Sequence, residues 1–286
     1  MILNFQKWPP ALTGAARQPR EKLVFLHGMG GAGTLWRPLA ASLEDEFEIL
    51  ALDQRGHGKS RIADTDVRRI SAGYTPLDYG QDVIDTLEQE NFHPAWMIGH
   101  SMGVRTACAA ASLHPSRVRG LCLIDLGFSG LAGGGLGEGL ASFIGQLPLH
   151  FPSRAETKAY LEQHCPDPSI GRYLLAVSEV DRASGIVTFP FDHRALVATI
   201  YAARDVSVRS WLEVLASNGM PLLVLRGATS SVWSRSDYEA ERDHFKAYPS
   251  ASFTEIQGTG HGLPFEKRLE FVALLKEWIS RPDFHR

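Results

Sequence analysis

The sequence is poor in the groups that would place it in several large functional classes. Its three cysteines, Cys108, Cys122 and Cys165, are scattered and show no C-x-x-C spacing, which argues against a disulfide framework and against a zinc site. Cys108 and Cys122 fall inside apolar patterns and read as small core residues. Positive charge is not concentrated anywhere. The formal net charge is -3, and no Lys/Arg cluster with interleaved aromatics supplies an electrostatic footprint for nucleic acid. No apolar run approaches the length of a membrane span. Met1 to Pro10 carries Lys7 and two prolines where a signal peptide would have a basic patch and an unbroken apolar stretch, so the expected location is cytoplasmic. No repeat at solenoid periods is visible, and no metal or organic cofactor is expected.

What is present is a chain of 286 residues, 44% hydrophobic and 21% charged, enough to bury a large core as one α/β domain with an insertion or as two modest domains. The stretch Trp96 to Val104 organises the rest. An apolar run meets Gly99-His100-Ser101-Met102-Gly103, and an alanine-rich helical pattern to Leu113 leaves on the far side. Strand, sharp turn and helix in that order form the context in which Gly-x-Ser-x-Gly carries chemistry. The serine is forced into a strained backbone, and only neighbours without side chains, such as Gly99 and Gly103, leave room for the chain to reverse beneath it.

Other apolar runs read as buried strands: Leu23 to Leu26, Phe47 to Leu52, Val118 to Ile124, Pro221 to Leu225 and Ala251 to Ile256. Helical spacing is expected from Thr34 to Glu44, from Thr75-Pro76 onward through Leu87, from Ser207 to Ser217, from Tyr238 to Phe245 and from Phe265 to Ser280. Met1 to Arg20 has room for a short edge hairpin. Alternating short strands and helices imply a mostly parallel sheet covered on both faces. The alternation stops at Gly127 and returns near Asp205. The expected organisation is a core over residues 1–126, a mainly helical cap over 127–204 inserted after the sixth strand, and a second core segment over 205–286. The glycine-rich stretch Gly130 to Gly139 lacks the Gly-Lys-Ser/Thr ending of a phosphate-binding loop and reads as a mobile connection into a lid.

Four features fall at the carboxyl ends of these strands, the edge where an open α/β sheet binds ligands: the turn after His27, the elbow at Ser101, Asp125, and His261. His27-Gly-Met-Gly-Gly31, Asp53-Gln-Arg-Gly-His-Gly-Lys-Ser60, Gly99-His-Ser-Met-Gly103 and Gly258-Thr-Gly-His-Gly262 occur in the order and spacing of the α/β-hydrolase superfamily, which the chain resembles over nearly its whole length. The resemblance implies an α/β-hydrolase fold with Ser101 as nucleophile and His261 as base. A serine hydroxyl needs an imidazole to take its proton and a carboxylate to hold that imidazole in the right tautomer. Many members carry the acid after the strand that corresponds to Pro221 to Leu225, but here that loop reads Arg226-Gly-Ala-Thr-Ser-Ser-Val-Trp-Ser234, with Ser231 near the usual position. Some members place the acid one strand earlier, where Asp125 stands, so Asp125 is assigned and Asp237 is the alternative. The N–H of Met102 follows the nucleophile, and the resemblance puts the second oxyanion donor at Met29.

Other conspicuous residues take plainer readings. Arg55 and His57 brace the floor of the site, as that loop does in the family. His100 points away from the nucleophile by strand alternation and packs or hydrogen-bonds beneath the elbow. Glu266, Lys267 and Arg268 form a solvated face. Trp36 and Trp233 either border the pocket or pack. The expected activity is hydrolysis of a carboxylic ester or related acyl bond in a small molecule with an apolar group, suggested by Leu140, Phe143, Ile144, Leu147, Phe151 and Phe189 of the cap. Some of these six must form the cap's own core. Enol-lactone or carbon–carbon bond hydrolysis on the same triad stays open, as does a noncatalytic binding protein on the same scaffold.

Overall fold

The computed structural model describes residues 1–8, 20–61, 73–130 and 136–284. In chain order the elements are β1 (Phe5–Trp8), β2 (Lys22–Leu26), α1 (Arg37–Ala40), β3 (Glu48–Leu52), α2 (Pro76–Gln89), β4 (Ala95–His100), α3 (Met102–Leu113) and β5 (Val118–Ile124). There follow α4 (Leu136–Gln146), β6 (His150–Phe151), α5 (Arg154–His164), α6 (Pro168–Val177), β7 (Glu179–Val180), β8 (Val187–Thr188) and α7 (His193–Ala203). The chain closes with α8 (Arg209–Ser217), β9 (Leu222–Gly227), α9 (Arg235–Phe245), β10 (Ala251–Ile256), α10 (Leu263–Glu266) and α11 (Arg268–Ile279).

Seven strands form one sheet in the order β1-β3-β2-β4-β5-β9-β10, parallel throughout except for β1, which pairs antiparallel with β3. The two-residue period of each strand splits its side chains between two cores. Val24, Leu26, Met97, Leu121, Leu123 and Val224 pack with residues of α2, α3, α8 and α9, whereas Leu23, Phe25, Trp96, Ile98, Cys122 and Leu225 face α1 and α11. Both faces are therefore covered, which is why the central strands are apolar at nearly every position. Trp36 lies wholly in the second core, stacked on Phe25 at 4.7 Å.

Two expected helices change shape for local reasons. The segment from Thr34 opens as a 3₁₀ turn over Gly33–Trp36 and is α-helical only over Arg37–Ala40; Pro38, which has no N–H, interrupts the pattern. The last helix starts earlier, at Leu263, and breaks at Lys267, whose backbone leaves the helical region at φ -118° and ψ 43°. The start of α2 meets its sequence signal fully, because Thr75 accepts from the Asp78 N–H while the Asp78 carboxylate accepts from the Thr75 N–H.

The insertion leaves after β5, the fifth described strand, where the sequence suggested the sixth. Only Phe5–Trp8 of the expected N-terminal hairpin is seen, and residues 9–19 lie outside the described residues, as do 131–135 of the glycine-rich stretch. Helices α4 to α7 surround a small antiparallel sheet, β6-β8-β7. Phe143, Ile144, Leu147, Phe151 and Phe189 are buried with Leu161, Leu174, Val187, Phe191 and Leu196, so these apolar residues make the insertion's own core, with Leu140 partly covered at its side. The insertion lies against the carboxyl edge of the main sheet. Phe191 bridges to His57, Gly58 N–H donates to the Pro190 carbonyl at 2.7 Å, and Tyr79 Oη meets Thr199 Oγ1 at 2.6 Å. Both stems of the insertion are tied to α3 by one buried guanidinium, since Arg105 donates to the carbonyls of Ser129 and Val206. Among the described residues no helix is long and apolar enough to cross a membrane.

Candidate active site

Between β4 and α3 the chain reverses at a single residue. Ser101 has φ 53° and ψ -120°, a conformation that costs a non-glycine residue of the order of ~1–3 kcal/mol. The reversal is possible because a Cβ on Gly99 would come within 2.3 Å of the Gly103 carbonyl oxygen and one on Gly103 within 2.3 Å of the Leu26 oxygen. Ser101 is held by its N–H on the Ile124 carbonyl at 2.9 Å. Met102 then opens α3, and among the described residues neither its N–H nor that of Met29 has an acceptor. Two amide donors are thus left without acceptors, one at the start of α3 next to Ser101 and one in the glycine turn, where a Cβ on Gly28 would lie 3.0 Å from Ser101 Cβ.

That turn is braced by two neutral histidines. His57 Nε2 accepts from the Gly30 N–H at 3.0 Å, and its Nδ1 lies 2.9 Å from the Arg55 carbonyl. His27 accepts at Nε2 from the Gln54 N–H and places Nδ1 2.7 Å from the Gly28 carbonyl. Burial, which disfavours the charged ring, lowers His27 to about 4 and His57 to about 3. Gln54 ties the set to α3, donating to the His27 carbonyl at 2.6 Å and accepting from Thr106 Oγ1 at 2.7 Å. Arg55 pairs with Asp82 at 2.7 Å. The loop from Asp53 to Ser60 is scaffold, as its sequence suggested.

Asp125, at the end of β5, is wholly buried and has φ 54°. Its Oδ1 accepts from the Gly227 N–H at 2.9 Å, and its Oδ2 accepts from Ser230 Oγ at 2.5 Å and faces His261 Nδ1 at 2.8 Å. The loop after β9, which lacks an acid, supplies donors to one. Arg226 fixes that loop through the carbonyls of Trp233, Ala228 and Ser230, and pairs with Glu255 at 2.7 Å. Gly227 lies so close to the histidine loop that a Cβ there would sit 2.2 Å from the Gly260 oxygen. Asp237 does something else. It stands at the start of α9, where Ser234 Oγ donates to its carboxylate at 2.6 Å and accepts from its N–H at 3.1 Å, an N-terminal cap well suited to an aspartate.

The His261 loop is held from both sides. Glu266 accepts from Thr259 Oγ1 at 2.5 Å and from the Gly260 N–H at 3.0 Å, so this residue of the expected solvated face, though exposed, orders the turn. His100 reaches the His261 carbonyl at 2.7 Å through Nε2, with the two rings 4.8 Å apart. His100 thus hydrogen-bonds beneath the elbow, the second of the two roles its position suggests. Among the described residues the Ser101 hydroxyl makes no hydrogen bond, so its contact with the imidazole is not closed in this arrangement; such contacts commonly tighten only with substrate bound. Neither Ser230 nor Gly227 was visible as a functional residue in the sequence. The only cue was an acid missing from their loop. Among the described residues no group of three or more His, Cys, Asp or Glu side chains converges as a metal site would require.

Comparison with known proteins agrees with this geometry. Residues 22–133 match the family model for the alpha/beta hydrolase fold. A putative esterase/lipase of Haemophilus influenzae is 26% identical over 262 residues, covering 91% of this chain and 83% of that protein. The 2-(acetamidomethylene)succinate hydrolase of Mesorhizobium japonicum is 27% identical over 213 residues, 74% of this chain and 72% of its own. Among solved structures, a marine microorganism esterase superposes with a TM-score of 0.73 at 22% identity, over 97% of this chain and 99% of that one. The chain has the α/β-hydrolase fold, and its residues 22–133 carry the match to that family.

Proposed function

We propose that the protein is a serine hydrolase that cleaves a carboxylic ester, or a related acyl bond, of a small molecule through an acyl-enzyme. The observation that carries this reading is the pairing of His261 Nδ1 with the buried Asp125 carboxylate at 2.8 Å, on the same sheet edge as the strained Ser101. With Nδ1–H held by Asp125, Nε2 keeps its lone pair for the serine proton. Ser101 Oγ attacks the carbonyl carbon as its proton passes to Nε2, and the N–H groups of Met29 and Met102 receive the oxyanion. The imidazolium then returns the proton to the leaving alkoxide. Water repeats the sequence, with His261 as base, to release the acid and free Ser101.

The side chains of Met29 and Met102 pack with Tyr74, Tyr79 and Ala195 beside the nucleophile, which supports an apolar acyl or alcohol group in the substrate. In this reading residues 127–204 act as the cap over that group. A lactone or an activated carbon–carbon bond presents the same carbonyl to the same serine, so the reading extends to acyl bonds in general. Turnover of p-nitrophenyl esters of increasing acyl length tests it. Hydrolysis by the native chain that falls to background in Ser101→Ala supports the reading, whereas equal rates in the two proteins contradict it. A folded native chain without turnover would favour the binding-protein alternative.

A further inference from the structure

Beside the glycine turn two polar side-chain atoms are sealed from solvent and have no hydrogen-bond partner among the described residues: Tyr173 Oη, from α6 of the insertion, and His100 Nδ1. Both converge on the same spot. A Cβ built on Gly28 would lie 3.2 Å from His100 Nδ1, 3.4 Å from Tyr173 Oη and 3.0 Å from Ser101 Cβ, and one on Gly31 would lie 2.7 Å from Tyr173 Oη. A side chain at either glycine would press on these two atoms. An unpartnered buried hydroxyl or ring nitrogen ordinarily costs a protein stability, so two that meet next to the nucleophile point to a ligand that satisfies both.

Their polarities can be assigned. His100 Nε2 faces the His261 carbonyl, which can only accept, so Nε2 carries the hydrogen and Nδ1 presents a lone pair. Burial lowers His100 to about 3, which keeps the ring neutral, and raises the Tyr173 phenol, which keeps it protonated. A donor and an acceptor therefore stand side by side. A bare oxyanion would accept from Tyr173 but would face the His100 lone pair, which is unfavourable. A hydroxyl or N–H that accepts from one and donates to the other satisfies both.

We propose that Tyr173 and His100 form a specificity subsite that binds a hydroxyl carried by the substrate on the carbon next to the scissile carbonyl, so that 2-hydroxyacyl esters are preferred over their deoxy counterparts. This rests on the acyl-hydrolase reading above and adds a substrate class to it. Tyr173 Oη accepts no charge and forms no covalent bond; it donates to the substrate hydroxyl, whose own hydrogen points to His100 Nδ1.

Ethyl lactate, each enantiomer separately, and ethyl propionate are the probes, with turnover followed by pH-stat. For the native chain the better lactate enantiomer is expected to exceed propionate in kcat/KM by at least ~10-fold, since a site built to hydrogen-bond a hydroxyl discriminates strongly against its absence. Tyr173→Phe is expected to lower kcat/KM for lactate by ~10- to 100-fold and for propionate by no more than about twofold. An equal fall on both esters would place Tyr173 at the ester carbonyl and overturn the proposal, as would no change on either. Affinity of the same two esters for Ser101→Ala, measured by calorimetry, separates this from the catalytic reading. Tighter lactate binding, lost in Ser101→Ala/Tyr173→Phe, supports the subsite even if the native chain hydrolyses neither ester, whereas equal affinities overturn it.

Discussion

Asp125→Asn changes one oxygen to an NH2 and removes a charge without changing shape. The native carboxylate accepts from three donors: the Gly227 N–H at Oδ1, and the Ser230 hydroxyl and His261 Nδ1–H at Oδ2. An amide has only one acceptor oxygen to offer. If that oxygen stays on Gly227, the NH2 faces His261 and drives the imidazole to the tautomer with its hydrogen on Nε2, where it cannot take the Ser101 proton. If the amide flips, NH2 opposes the Gly227 N–H at about the native 2.9 Å, and two donors face each other in a site closed to water. The first arrangement is favoured because Ser230 can rotate its hydroxyl to accept. Loss of the correct tautomer lowers kcat by ~10⁴-fold, about 5.5 kcal/mol of transition-state stabilisation. The assay is p-nitrophenyl ester turnover at pH 7.5 beside circular dichroism and a thermal melt of the same preparation. A folded Asp125→Asn protein within tenfold of the native rate would refute the assignment. Asp237→Asn is the control: losing only a cap contribution, it is expected to keep its rate within about twofold and to lose no more than about 1 kcal/mol of stability.

Acid should destabilise the fold through its buried neutral histidines. His27, at about 4, and His57 and His100, each at about 3, lie below the ordinary value of 6.5, so the unfolded chain binds more protons than the native one as pH falls below 6.5. Their stabilisation is complete above that pH and is lost on descent towards pH 3–4, each ring contributing a fall of about 2 kcal/mol from pH 7 to pH 5. Urea midpoints at the two pH values measure this, and an unchanged midpoint would contradict it. Gly227→Ala would force a Cβ to 2.2 Å from the Gly260 oxygen and push the His261 loop away from Asp125; a loss of at least ~10²-fold in kcat is expected from such misplacement, and a native rate would show that the loop has slack. Arg105→Leu strips the donors from the Ser129 and Val206 carbonyls, which should cost about 2–4 kcal/mol. Limited proteolysis should then cut first near residues 129–130 and 204–206, and an unchanged digestion pattern would argue against a clasp.

What could be read from the chain alone were the features written in local patterns. The elbow at Ser101, the strands around it and the capped start at Thr75 each depend on residues within a few positions of one another, so spacing and turn chemistry reveal them. Asp125 could be singled out because the later loop has no acid and because some members of the family that the chain resembles carry it at the end of the strand before, where Asp125 stands. The donors that complete its site could not. Ser230 and Gly227 lie 105 and 102 positions away, and a serine in a loop carries no signal of what it will face. The same holds for Glu266, whose helix-start setting suggests a solvated charge while its carboxylate in fact spans to Thr259 and Gly260. The apolar residues of the insertion were legible as apolar but not as inward-facing, since short helices and two-residue strands leave too little periodicity to say which face meets a core. Tyr173 was invisible for a related reason, because its meaning comes from glycines more than 140 positions earlier.

An activated Ser101 nucleophile is open to covalent capture. The native protein is treated with a fluorophosphonate probe at neutral pH and digested, and the labelled peptide is mapped. One label is expected, on Ser101, that is lost in Ser101→Ala and slowed by orders of magnitude in Asp125→Asn. A folded native protein that takes no label, or takes it equally well after Ser101→Ala, would contradict a nucleophilic Ser101.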